Sequence, residues 1–223
     1  MARTSQDNLD RWSRISIWAA AALMFAAAVL EVLRPRLFEA AIEAGCLVLF
    51  LCFQFLLEKA LKIRIPPLMK ILVSLLLLVS LVIGRYFTLY KNLPGFDKSQ
   101  HFLYGLFFAI FGFVLFYRLN PHQQKLTVSP LTVALFAVCF GLLMGFGWEL
   151  YEFANDRLFN TNMQSWKQAP ASGLIDTMLD ILADLAGSVL VAWFAVRRLK
   201  RDPEAFYRQY ISGFMPDRQI EAA

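Results

Sequence analysis

The stretch DTMLDILADLAG, residues 176–187, sets Asp176, Asp180 and Asp184 four residues apart inside a segment that is otherwise apolar. At 3.6 residues per turn this spacing returns the three acids to one helical stripe. At about 1.5 Å rise per residue, Asp184 lies roughly 12 Å below Asp176, close to the middle of a bilayer. An acid at that depth costs about 2.5–3.5 kcal/mol on insertion scales. The segment therefore reads as a membrane helix whose acids turn away from lipid, and the question becomes what they turn toward.

The rest of the chain fits a membrane setting. Of 223 residues, 58% are hydrophobic and 21 are Phe, with a mean hydropathy of +0.52, well above what a soluble domain carries. About 20 apolar residues cross the hydrocarbon core. Six segments qualify: 15–33, 38–57, 68–90, 100–119, 130–153 and 173–196. Short connections join them, so the expected fold is all-α, six transmembrane helices in one bundle. The expected divisions are a leader at 1–14, a membrane domain at 15–196 and a basic tail at 197–223.

Lys and Arg divide fifteen to seven between the two sides of that topology. The positive-inside rule then puts both termini in the cytoplasm. The net charge of +5 is thus spent on membrane orientation, and RRLKR at 197–201 fits contact with anionic headgroups, not nucleic acid. Cys46, Cys52 and Cys139 lie in apolar segments without metal-ligand spacing and read as small buried hydrophobes.

Placed by depth, the polar residues of three segments fall in the same outward-facing half of the membrane. FDKSQHFLYG carries Asp97, His101 and Tyr104, and GWELYEFAND carries Glu149, Glu152 and Asp156, each set on one stripe. Converging acids need a bound divalent cation, basic neighbours such as Arg85, Lys98 or Arg157, or protons. One His among several carboxylates suits Mg²⁺, Mn²⁺, Fe²⁺ or Zn²⁺. The candidate ligands are His101, Glu149, Glu152, Asp176 and Asp180. Glu149 and Asp184 are the candidate catalytic bases, and Arg85, Lys98 and Tyr104 the candidate substrate contacts. Asp97, with Gln100 three residues on, reads as a structural cap of its helix, and Asp156 as an interfacial residue.

Packing features accompany these. Gly141 with Gly145, and Ala183 with Gly187, form small-xxx-small pairs that permit close helix approach. Ser129 and Pro130 form an N-cap and first turn. Trp148, Tyr151, Tyr86 and Tyr90 suit an interfacial aromatic belt. Glu31 and Glu39 read as solvated ends, while Glu43 points to the cavity, and the loop at 155–171 with Trp166 is placed to cover it.

DKSQHFLYG, WELYEF and DTMLDILADLAG resemble the signature stretches of the YjdF-like bacterial inner-membrane proteins. The matching residues are Asp97, His101 and Phe102, then Glu149 and Glu152, then Asp176, Thr177, Asp180 and Gly187. Asp180, Asp184 and Gly187 also resemble the Asp-x-x-x-Asn-x-x-Gly end of the VanZ-like group. The resemblance covers about residues 70–195. It implies a bacterial inner-membrane location, and through the VanZ-like group it hints at cell-envelope material. The chain departs in KQAPASGLID, where the family has a Gln-Gly-Asp lead-in, and in the extra acid Asp184.

Three functions compete at this level. The first is an intramembrane metal-dependent hydrolase or transferase acting on a lipid or lipid-linked envelope substrate, with a divalent ion as cofactor. The second is a proton- or cation-coupled transporter or flippase, against which stands the absence of inverted repeats. The third is a structural or regulatory subunit with a membrane-protein partner.

Overall fold

The computed structural model describes residues 2–33, 41, 44, 45, 47, 48, 51, 52, 56, 58–87, 89–120 and 128–215, with only the backbone for 2–7, 81, 85, 86 and 91. Its regular structure is wholly helical among the described residues. Among the described residues, five helices are long and apolar enough to cross a membrane: Asn8–Leu33, Pro67–Gly84, Phe96–Leu119, Pro130–Phe159 and Ser172–Arg201. The expected second span, 38–57, lies largely outside the described residues, as do Glu39, Glu43 and Cys46.

The chain falls into two compact units, Met1–Phe96 with Gly213–Ala223, and Asp97–Ser212. In the first, α1 (Ala2–Leu33) runs unbroken through what the sequence sets apart as a leader. Its buried stripe is Ala20, Met24, Ala27, Ala28 and Glu31, one face at helical spacing. That face packs on α2 (Pro67–Leu77). Glu31 is 2% exposed, so it is not the solvated end its sequence position suggests.

Pro66 and Pro67 start α2, where missing amides cost nothing. The helix continues as a π-helix, Leu78–Tyr86. Ser74 and Ser80 donate their hydroxyls to the carbonyls of Lys70 and Leu76, at 2.8 and 2.9 Å, which keeps these hydroxyls satisfied inside an apolar span. After α3 (Leu89–Asn92) the chain returns so tightly that a Cβ on Gly84 would lie 2.5 Å from the Tyr90 ring.

The second unit holds α4 (from Phe96, ending at Leu119), α5 (Pro130–Phe159) and α6 (Ser172–Arg201). Ser129 caps α5 as its sequence predicts, its hydroxyl accepting from Thr132 N at 3.2 Å. Along α5 the buried stripe runs Val133, Ala134, Ala137, Gly141, Gly145, Glu149, Glu152, Asn155, Asp156. Along α6 it runs Asp180, Asp184, Gly187, Ser188, Ala192, Ala195, Leu199. In both helices the acids extend a stripe of small residues, while Leu143, Phe146, Leu150, Leu182, Val189 and Trp193 face outward. Polar inside and apolar outside is the pattern a lipid solvent selects.

The small residues set the helix spacing. A Cβ on Gly187 would lie 2.1 Å from the Phe102 carbonyl oxygen, and one on Gly105 would lie 2.2 Å from the Asp184 carbonyl oxygen. Across α5 and α6, Gly141 abuts Ser188 and Gly145 abuts the Asp184 carboxylate. Ser188 completes the seam by donating to Gly105 O at 3.1 Å.

Cys52 and Cys139 are exposed, which corrects their reading as buried; the interior stripe is taken by smaller or polar groups. The basic end is also more structured than a free tail. Asp202 accepts from Ala205 N at 2.8 Å, opening α7 (Pro203–Phe206) and a π-helical turn, Tyr207–Ile211. Phe206 and Tyr207 then pack on Tyr117 of α4, with ring centroids 6.3 and 5.6 Å apart.

Candidate functional site

The three polar stripes of the second unit meet around His101. Four residues after Asp97 and one helix away from Asp180 and Asp184, it is 4% exposed. Its Nδ1 lies 3.0 Å from Asp184 Oδ2. In the neutral ring with Nδ1–H donated to Asp184, Nε2 carries a lone pair. That nitrogen faces Glu149 Oε1 and Asp180 Oδ1, each at 3.7 Å, and Asp97 Oδ1 at 4.0 Å.

These separations are too long for hydrogen bonds. They fall between the spacings of donor atoms around one ion, where bonds of about 2.1 Å put adjacent ligand atoms roughly 3.0–3.4 Å apart and opposite ones about 4.2 Å apart. One donor atom each from Asp97, His101 and Asp180 lies within 4.8 Å of the others. Glu149 Oε1 and Asp180 Oδ1 are buried and lack a hydrogen-bond partner among the described residues, an arrangement that ordinarily requires explanation.

Asp176 Oδ2 is likewise buried without a partner among the described residues, whereas the second oxygens of Asp97, Asp180 and Glu149 are occupied. Lys98 Nζ donates to Asp176 Oδ1 at 2.5 Å, Asp180 Oδ2 at 2.8 Å and Asp97 Oδ2 at 3.1 Å. Asp97 and Asp180 thus each give one oxygen to Lys98 and turn the other toward His101. Glu149 divides likewise, since Oε2 accepts from the Thr177 hydroxyl at 2.7 Å and from Gln164 Nε2 at 3.3 Å. Six carboxylates (Asp97, Glu149, Glu152, Asp176, Asp180, Asp184) surround two bases, Lys98 and His101. Six acids against two bases leave a shortfall in positive charge, which protons on some of the acids or a bound cation would each relieve.

Of the expected ligands, His101, Glu149 and Asp180 converge. Asp176 belongs to Lys98 instead. Glu152 Oε1 accepts from Trp148 Nε1 on its own helix at 2.9 Å. Asp97 corrects the cap reading: α4 begins at Phe96, so Asp97 is already inside the first turn, with both oxygens directed at Lys98 and His101. Asp184 sits behind His101, orienting the ring as a carboxylate orients a metal-ligating histidine.

Among the expected substrate contacts, Lys98 is inside the cluster, and Tyr104 stacks on Phe108 at 6.4 Å. The Arg85 side chain lies outside the described residues. Arg157 turns away from the acids, its guanidinium lying over the Phe153 and Trp166 rings at 5.3 and 5.4 Å.

The sequence reading assigns no part to Thr177 or Gln164, although Thr177 stands in the third motif. It also undervalues Asp156, which is 3% exposed and organises the loop after α5. Its carboxylate accepts from the Thr161 hydroxyl at 2.5 Å, Met163 N at 2.7 Å and Gln164 N at 2.9 Å. The loop so held delivers the Gln164 amide to Thr177 at 2.7 Å, beside Glu149. The loop that the sequence places beside the acids is thus a hydrogen-bonded turn that reaches Glu149 and Thr177 through Gln164.

Long apolar helices that bury a polar centre and face outward with Leu, Phe and Trp define a multi-helix integral membrane protein. The chain belongs to the family described as predicted membrane protein (DUF2238), which matches residues 16–201. An uncharacterised protein of Thermotoga maritima is 28% identical over 147 residues, 65% of this chain and 70% of that protein. No solved structure matches.

Proposed function

We propose that this chain is a multi-pass protein of the bacterial inner membrane, both termini cytoplasmic and YjdF-like in kind. In this reading it binds a divalent cation in the outward-facing half of the membrane and acts there on a lipid or lipid-linked envelope substrate. Asp97, His101 and Asp180 hold the ion, Asp184 orients His101, and Glu149 Oε1 is the general base. The ion, when bound, would polarise a phosphate-ester oxygen or a water molecule. The observation that carries this is the division of oxygens: Lys98 occupies Oδ2 of Asp97 and Asp180, leaving Oδ1 of each turned to His101 Nε2. Nitrogen together with carboxylate oxygens favours Mn²⁺, Fe²⁺ or Zn²⁺.

The test is titration of the detergent-purified full chain with Mn²⁺, read by electron paramagnetic resonance. The expected result is one bound ion per chain with nitrogen coupling in the pulsed spectrum, lost in His101→Gln and weakened at least about tenfold in Asp180→Asn. Binding that persists unchanged in both variants refutes the site.

A second reading is favoured by one feature. Asp176, Lys98, Asp180, His101 and Asp184 form a chain of contacts that alternates between α6 and α4, the arrangement of a proton or cation relay in a carrier. Proton-coupled uptake in proteoliposomes, abolished by Asp184→Asn, would support that reading over the enzyme.

A further inference from the structure

Beside the acid cluster lies an open groove of about 750 Å³ whose lining includes Phe153, Arg157, Trp166, Lys167, Leu174 and Thr177. Its chemistry is the reverse of the cluster's. Arg157 lies over the Phe153 and Trp166 rings, and Lys167 Nζ is 5.2 Å from the Trp166 ring. Lys167 also donates to the Asn160 carbonyl. Neither base pairs with a carboxylate among the described residues. The acid nearest to Arg157 in sequence, Asp156, is committed to the loop backbone, and the one nearest to Lys167, Asp176, is taken by Lys98. Two cations steered by one indole ring therefore face open space.

The groove sits where two candidate spans end, at Phe159 and Ser172. Large, mostly exposed apolar side chains flank it: Leu158 is 75% exposed, Leu174 63% and Ile175 58%. A ligand here meets basic groups above an acyl-compatible wall. The floor connects to the cluster, because Thr177 lines the groove and donates to Glu149 Oε2 at 2.7 Å.

We propose that this groove binds the phosphate-bearing headgroup of an anionic lipid, with Arg157 and Lys167 taking the phosphate and Trp166 holding both bases in place. Guanidinium and ammonium groups near a membrane surface attract such headgroups, and aromatic rings anchor at that depth. The proposal rests on the membrane reading above and deepens it by naming the substrate class as an anionic phospholipid rather than a neutral one.

The experiment is native mass spectrometry of the full chain released from micelles with equimolar phosphatidylglycerol and phosphatidylcholine. The expected result is a retained phosphatidylglycerol adduct that Arg157→Gln/Lys167→Gln weakens by about tenfold or more. Phosphatidylcholine retention should not change. Arg157→Lys/Lys167→Arg keeps both charges and should retain the adduct; loss in that variant too would overturn a charge-based site. Equal retention of phosphatidylglycerol by the native chain and the Gln double variant would also overturn it. Displacement of the adduct by millimolar inorganic phosphate would overturn the assignment to a lipid source. Failure here is separable from failure of the cation site, because His101→Gln should abolish Mn²⁺ binding and leave the adduct intact.

Discussion

Lys98→Met is the sharpest test of the electrostatic account. Lys98 meets three carboxylates at 2.5, 2.8 and 3.1 Å. At an effective dielectric of about 20, one such contact is worth roughly 6 kcal/mol before desolvation is subtracted. Desolvation removes much of that, and breaking a buried pair costs about 3–5 kcal/mol in practice. Because the Lys98 side chain is 27% exposed, water screens part of the loss, so the expected cost is about 3 kcal/mol. Asp176→Asn alone should cost about 1 kcal/mol, since Lys98 keeps its other two partners. In the double variant one orphaned charge is gone, so the combined cost should fall short of the sum by at least about 1 kcal/mol. Reversible unfolding in mixed micelles, followed by far-ultraviolet circular dichroism, measures all three. A Lys98→Met chain as stable as the native one, or strictly additive costs, would refute the reasoning.

Further outcomes follow from the packing. Gly187→Ala drives a methyl into the Phe102 carbonyl at 2.1 Å and should destabilise by about 1–3 kcal/mol. Gly147→Ala meets nothing within 4 Å and should stabilise α5 by up to about 1 kcal/mol; the same unfolding assay separates the signs. Asp156→Ala removes the acceptor of three hydrogen bonds, so limited proteolysis should cut within residues 160–171 several-fold faster while α5 and α6 stay intact. Tyr117 is fully buried and its hydroxyl has no partner among the described residues. Tyr117→Phe should therefore be neutral or stabilising, whereas Tyr117→Ala should cost about 3–5 kcal/mol in thermal or chemical unfolding.

Much of this was legible in the sequence because spacing alone decides which residues share a helical stripe. The four-residue interval of Asp176, Asp180 and Asp184 and the pairing of Glu149 with Glu152 place acids on buried faces, and Gly141, Gly145 and Gly187 do close the helix seams. What spacing could not supply is the choice among competing partners. Glu152 lies four residues from Trp148, and the local indole contact claims it. Asp97 reads as a cap by motif, yet α4 starts one residue earlier and its carboxylate is drawn to Lys98 and His101. Asp176 shares its stripe with two interior acids but is taken by Lys98, which stands beside Asp97 in the chain and reaches across to another helix. Buried cysteines were expected from soluble cores, where apolar residues go inside. Here the outward faces take the apolar side chains, and Cys139 goes with them.

The shared stripe on α6 has a consequence for motion. Glycine, serine and aspartate occupy the same line, so the helix cannot swivel about its long axis by even one position without two penalties at once. Asp180 and Asp184 would swing toward hydrocarbon, at about 2.5–3.5 kcal/mol each, and Gly187 would lose its fit against Phe102. Rotational register is therefore locked by the same residues that carry the chemistry, and any opening of the centre has to come from sliding, tilting or the Asp156-held turn.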